Sequence, residues 1–177
     1  MSRTTLYIAT TLDGKIARKD GNLDWLIGFP NPDQIDYGYE QFLSTVGTTI
    51  MGKNTYREIT GFGVDWPYTG MNSYVVTTDK DFIPTTPDTF ILSTNLKDFV
   101  NDLKNRNEKD IWLIGGGKLI ASFLDNDLLD RMILTLIPVT IGEGIPLFPD
   151  ITKDTAWTLT KVERFETGVV NLTYDKI

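Results

Sequence analysis

Leu6-Tyr7-Ile8-Ala9 is a short apolar run, and its length and bounds predict a buried strand. Thr11-Leu12-Asp13-Gly14-Lys15 then reads as a turn around an Asp-Gly pair. A polar stretch from Arg18 to about Asp33 predicts a loop long enough to be functional. Tyr39, Phe42, Leu43 and Val46 fall at helical spacing, predicting a helix over about Asp36 to Thr45. Thr48 to Met51 predicts a strand ended by Gly52, with a short helix starting near Thr55. Tyr74 to Thr77 and Thr89 to Leu92 predict two more strands. Leu96, Phe99, Val100 and Leu103 mark a helix that Ser93, Thr94 or Asn95 is able to cap.

Ile111 to Ile114 predicts a strand running into Gly115-Gly116-Gly117, and Leu119, Ile120, Phe123 and Leu124 mark the helix beyond. Met132 to Val139 predicts a strand whose Pro138 suggests a sheet edge or bulge. Thr158 to Phe165, Glu166-Thr167-Gly168 and Val169 to Tyr174 read as a closing antiparallel hairpin. Strands alternating with helices predict a mostly parallel α/β sheet with helices on both faces. No linker or repeat divides residues 1–177, so one domain is expected.

Composition narrows the chemistry. The 177 residues include no Cys and no His, which excludes thiol nucleophiles, imidazole triads and thiolate or imidazole metal sites. An enzyme built from this chain relies on carboxylates, Lys, Tyr, hydroxyls, backbone groups or an organic cofactor. A net charge of −7 without long basic clusters argues against a nucleic-acid surface. No apolar run approaches the length of a membrane span, and the first residues lack a signal-peptide core, so a cytoplasmic protein is expected.

Two strand-to-helix junctions and one turn after a strand carry candidate chemistry. At Ile114-Gly115-Gly116-Gly117-Lys118-Leu119, glycines let an anion approach the backbone, and a helix start favours negative charge. A tight turn has the same signature, and the spacing is not the Rossmann fingerprint. At Gly52-Lys53-Asn54-Thr55, a cation and a hydroxyl open the next helix, as phosphate contacts or as a solvated Lys and a capping Thr. Thr77-Thr78-Asp79-Lys80 is either a polar turn or a contact for an adenosine ribose and its 2′-phosphate, with Asp79 repelling that phosphate unless it points away. Trp25 is either a cover for a flat ring or core.

In order along the chain, Leu12-Asp13-Gly14-Lys15-Ile16-Ala17, Met51-Gly52-Lys53-Asn54-Thr55-Tyr56, Ile114 to Leu119, and Pro138 to Phe148 resemble the dihydrofolate reductase superfamily. The likeness is greatest to the reductase domain of riboflavin biosynthesis and its stand-alone relatives. It implies a three-layer dihydrofolate-reductase-like fold, NADPH as cofactor and, by analogy, a homodimer. It implies that Gly115, Gly116, Gly117 and the helix at Lys118 hold the diphosphate, with Gly52, Lys53 and Thr55 along it. Thr77, Thr78 and Lys80 would sit at the adenosine end. Ala9 and Ile16 would bracket the nicotinamide, under the loop from Arg18 to Asp33.

Folate-reducing members carry a carboxylate about fifteen residues before the Met of the Met-Gly motif, and Asp36 stands there relative to Met51. Asp36 is thus the catalytic candidate, with Trp25 and Glu40 beside the substrate. The same residue is also a favourable charge at a helix start. The expected activity is NADPH-dependent reduction of a pteridine- or pyrimidine-like heterocycle. The alternatives are reduction of a ribosylaminopyrimidine, and a dinucleotide-binding protein with little turnover.

Overall fold

The computed structural model describes residues 1–93, 95–106 and 108–177. Its eight-stranded sheet is assembled from β1 (Thr4–Thr11), β3 (Val46–Gly52), β4 (Asn72–Val76), β5 (Thr89–Leu92), β6 (Asp110–Gly115), β7 (Arg131–Ile137), β9 (Trp157–Arg164) and β10 (Val170–Lys176). The order is β5-β4-β3-β6-β1-β7-β10-β9. Pairing is parallel from β5 to β7, and β10 then runs antiparallel to both β7 and β9. A second, two-stranded sheet joins β2 (Lys15–Ala17) to β8 (Ile145–Pro146).

The alternation of strand side chains divides the core in two. Leu6, Ile50, Ile111 and Leu113 face α4 (Leu96–Arg106) and α5 (Gly117–Asp125), which bury Val100, Leu103, Ile120 and Phe123 among them. Tyr7, Met51, Val75 and Trp112 face the other way, onto Phe42 of α2 (Tyr39–Thr45) and Tyr56 of α3 (Lys53–Gly61). Phe42 meets Tyr7 and Trp112 edge-on at 4.6 and 5.4 Å between ring centroids. Such pairs contribute roughly 0.5–1.5 kcal/mol beyond area burial. The result is the dihydrofolate-reductase-like layering that the resemblance implies, with helices on both faces.

Several boundaries differ from the sequence expectation. The helix expected from Asp36 begins at Tyr39, because Asp36 caps it rather than entering it. The expected turn after Ala9 is shorter, since β1 runs to Thr11 and Lys15–Ala17 pairs with β8. The Arg18-to-Asp33 loop contains one helical turn, α1 (Asp24–Ile27). Pro138 lies just beyond β7, and that strand is internal between β1 and β10, not an edge. Asn95 Oδ1 caps α4 by accepting from Lys97 N at 3.0 Å, while the candidate cap Thr94 lies outside the described residues.

Candidate functional site

The sheet splits at the carboxyl end of β1. Register between β1 and β6 runs from Thr4↔Ile111 to Leu6↔Leu113. Beyond that point β1 stays with β7 as far as Thr11↔Ile137, while β6 follows β3 and pairs Gly115 with Met51. The register shift between Ile50 and Met51 leaves Ile114 as an extra residue on β6, which bends that strand away. In a parallel strand the N–H and C=O of one residue point to the same side, and alternate residues share that side. Arg3 O accepts from Ile111 N at 2.8 Å, and Tyr7 O accepts from the Trp112 indole at 3.1 Å, both toward β6. The amide and carbonyl of Ala9 therefore face the gap, two residues past the last carbonyl that β6 satisfies. That donor–acceptor pair is suited to a planar carboxamide.

Two helix starts meet beside the gap. A Cβ built on Gly116 would lie 3.5 Å from Thr55 Oγ1, and one on Gly52 would lie 3.9 Å from Gly115 O and Gly116 N. The N-cap residues, Gly52 of α3 and Gly116 of α5, make no side-chain cap hydrogen bond. First-turn N–H groups of both helices are thus concentrated around the same space, an arrangement that favours an anion.

The three glycines divide their work. Gly115 has φ +132°, which L side chains rarely adopt, and a cis peptide joins it to Gly116. Gly116 is extended at φ −87°, so the space beside it, not its backbone, is what distinguishes it. Gly117 is close-packed: a Cβ there would meet Pro146 O at 2.8 Å and Pro149 at 3.1 Å. Leu119 leaves the expected cofactor set, because its N–H donates to Gly116 O at 3.0 Å and its side chain is in the core. Lys118 is exposed at the first turn of α5.

Lys53 also departs from its expected place along the diphosphate. Its ammonium lies 2.8 Å from Asp79 Oδ2, so it leans toward the turn after β4. Thr77 Oγ1 accepts from Asp79 N at 3.1 Å and fixes that turn, and Thr78 and Lys80 are exposed on it. The Lys53 ammonium, then the Asp81 amide, hold the Asp79 carboxyl below its usual range.

Behind the gap, Ile16 on β2 packs against the α5-side core. Asp13 fastens this wall. Its carboxylate accepts from Thr11 Oγ1 at 2.6 Å, Gly142 N at 2.7 Å and Ile141 N at 3.2 Å. Leu147 N donates to Gly14 O at 2.9 Å. Next along the chain, Arg18 and Asp24 form a bidentate ion pair at 2.8 and 3.0 Å. Gly21 lies so close to the Glu58 carboxylate of α3 that a Cβ there would overlap its Oε1. The loop therefore reaches from β2 across to α3.

On the α2 side of β1 lies a polar cluster that the apolar pattern of the strands does not announce. Asn171 Nδ2 and Tyr7 Oη donate to Tyr37 O at 2.7 and 3.1 Å, and Thr135 Oγ1 donates to Asn171 Oδ1 at 2.8 Å. Asn171 and Thr135 are buried in β10 and β7; polar residues at inward strand positions were the available signal. An open groove of about 470 Å³ runs alongside, lined in part by Tyr7, Tyr37, Gln41, Phe42, Asn171 and Thr173.

Asp36 stands above this cluster, exposed, with its oxygens accepting from Gly38 N and Glu40 N at 3.0 Å each. The Glu40 amide, then that of Gly38, hold its carboxyl below the usual range. Glu40 itself is exposed on the first turn of α2. Trp25 is not a rim residue. It is 7 % exposed and clusters with Ile137 and Val169, against which Ala9 and Tyr37 also pack. Its indole Nε1 is buried with no hydrogen-bond partner among the described residues.

Comparison with known proteins places this arrangement. The uncharacterised protein YwjB of Bacillus subtilis (strain 168) is 38% identical over 167 residues, 94% of each chain. A crystal structure of a protein from Shewanella sp. PV-4, provisionally assigned to riboflavin biosynthesis, superposes with a TM-score of 0.89 at 33% identity over 99% of both chains. Dihydrofolate reductase from Enterococcus faecalis, complexed with NADP(H) and RAB-propyl, has the same fold, with a TM-score of 0.70 at 18% identity over 98% of this chain and 96% of that one. Residues 4–171 match the RibD C-terminal domain, and the chain belongs to that family.

Proposed function

We propose that the chain is an NADPH-dependent reductase that transfers hydride to a flat heterocycle of the pyrimidine or pteridine type. The observation that carries this reading is the split between β1 and β6, opening directly beside the glycine-led starts of α3 and α5. The residues present fit a nicotinamide dinucleotide. Ala9 offers a backbone donor and acceptor to a carboxamide in the gap, with Ile16 and Ile114 beside the ring. The N–H groups at Gly116, Gly117 and Lys118, with the Thr55 hydroxyl, surround the place for a diphosphate. Gly52 keeps that approach open, and Thr77, Thr78 and Lys80 lie at the adenosine end. The bound cofactor supplies the hydride.

The chain's own part is to bind, orient and exclude water. Trp25 contributes through its N–H, not by stacking. A buried donor without a partner costs free energy, and an acceptor on a bound ring or an ordered water would satisfy it. Asp36 sets the start of α2 through two backbone bonds and so fixes the Tyr37 carbonyl over the site, beside Glu40. Membership of the RibD family favours a ribosylaminopyrimidine over a pteridine. The hydroxyl-rich groove lined by Thr5, Thr45, Thr160 and Thr173 is compatible with a ribosyl group.

Titration calorimetry with NADPH, followed by NADPH oxidation against a panel of dihydrofolate, pterins and ribosylaminopyrimidines, tests the reading. Binding with micromolar affinity and turnover of one class are expected. Binding without turnover of any panel member supports the alternative of a dinucleotide-binding protein, and absence of binding removes both.

A further inference from the structure

Lys53 and Asp79 come from different elements and meet at the place where the cofactor's adenosine end is expected. Lys53 opens α3, and Asp79 sits in the turn that follows β4. Their 2.8 Å contact is partly buried, with the side chains 25 and 34 % exposed. The other oxygen of Asp79 accepts from Asp81 N at 3.0 Å, and the Asp79 amide donates to Thr77 Oγ1. The carboxylate is therefore built into the turn, not swinging in solvent. The turn that holds it also carries Thr77, Thr78 and Lys80.

We infer that Asp79 is a specificity-determining residue that restrains the preference for a 2′-phosphorylated dinucleotide by competing with the phosphate for Lys53; the inference rests on the dinucleotide reading above. A 2′-phosphate reaching this turn meets a cation already neutralised and a carboxylate of its own sign. It gains Lys53 only by displacing Asp79. A 2′-hydroxyl has no such conflict, because it donates a hydrogen bond to the carboxylate and leaves the ion pair in place. Asp79 thus reduces the advantage that Thr77, Thr78 and Lys80 would give NADPH over NADH.

The test is D79N. Asparagine keeps an oxygen for the Asp81 amide and so preserves the turn, but it removes the charge and releases Lys53. Dissociation constants for NADPH and NADH are measured by calorimetry, at low and moderate salt, on the wild type, D79N and the double variant K53M/D79N. The same titrations with 2′-phospho-AMP and AMP isolate the adenosine end. D79N is expected to tighten NADPH and 2′-phospho-AMP by about tenfold, the scale of one charge-assisted contact. NADH and AMP should not tighten, and they should weaken as far as their 2′-hydroxyl loses its charged acceptor. The gain should shrink as salt rises and vanish in the double variant. Equal changes for both dinucleotides, an unchanged ratio, or a gain that survives K53M overturns the inference while leaving the dinucleotide reading intact. No binding of either dinucleotide by any variant overturns the reading and the inference together.

Discussion

Gly115, Gly116 and Gly117 form one signal in the sequence, and the structure resolves it into three physical requirements. Gly115 meets a backbone requirement, Gly116 keeps a space open for ligand, and Gly117 makes room for the 146–149 segment. G116V should fold, since an extended φ of −87° suits a branched residue. Its side chain would fill the space in front of Thr55, costing the diphosphate one or two charge-assisted contacts and roughly 10- to 1,000-fold in NADPH affinity. A folded variant that binds NADPH as the wild type does would remove Gly116 from the site. G117A should behave oppositely. Its methyl group collides with Pro146 O, so about 1–3 kcal/mol of stability is lost by denaturant unfolding whether or not cofactor is present. Asp36 is also decided at this scale. D36N should keep NADPH binding, lower the melting temperature at neutral pH and reduce turnover by less than about tenfold, below the range of a positioned proton donor. Steady-state kinetics showing a hundredfold loss would give Asp36 the acid–base role instead. The sign with pH follows from its depressed carboxyl: the capping contribution is complete above the ordinary value of 3.8 and fades as pH falls through the lower folded value. The melting difference between wild type and D36N should therefore narrow in acid.

At the scale of elements, most of the fold was legible because local period and burial agree. Ile111-Trp112-Leu113 reads as a strand from its apolar run, and α5 reads as a helix from Leu119, Ile120, Phe123 and Leu124. What was not legible depends on partners distant in sequence. Nothing near Lys53 reveals that its ammonium turns to Asp79, twenty-six residues away. Nothing near Trp25 reveals Ile137 and Val169 as its neighbours. β10 misleads for a similar reason: Val170, Leu172 and Tyr174 suggest the apolar face, yet Asn171 and Thr173 are the more buried, because their face meets Tyr37 and α2. The Pro138-to-Phe148 motif carried the resemblance without a role, and the structure supplies one. It braces both walls of the site, pairing with β2, accepting Gly117 against Pro146 and docking on Asp13. D13A should therefore speed hydrogen exchange at Gly142 and Ile141 and weaken cofactor binding, with the sheet core unaffected. Exchange unchanged at those two amides would show that the β2–β8 pairing alone holds the wall.

At the scale of the whole molecule, the sheet ends in a strand with no paired neighbour on one side among the described residues. β9 is last in the order, and Leu159 and Val162 on it are 47 and 56 % exposed. The Leu172 and Tyr174 face of β10 is less available to a partner, since Tyr174 packs against the core. Exposed edges of this kind invite pairing with a second strand. Antiparallel pairing about Val162 would place Val162 against itself and set Lys161 opposite Glu163 on both sides of the twofold axis. Opposite charges facing across such a pair contribute roughly 0.2–1 kcal/mol each, and like charges directly opposed are destabilising. We therefore propose a homodimer joined through β9, continuing the sheet across two molecules and leaving both cofactor clefts open. Light scattering on the wild type at micromolar concentration should give twice the chain mass. V162K puts two ammonium groups face to face on the axis, and it should give a monomer that melts cooperatively and binds NADPH as the wild type does, because β1, β7 and β10 separate β9 from β6. A monomeric wild type ends the proposal, and a V162K protein that remains dimeric moves the interface away from β9, toward the exposed Phe90 and Ile91 of β5 at the opposite edge.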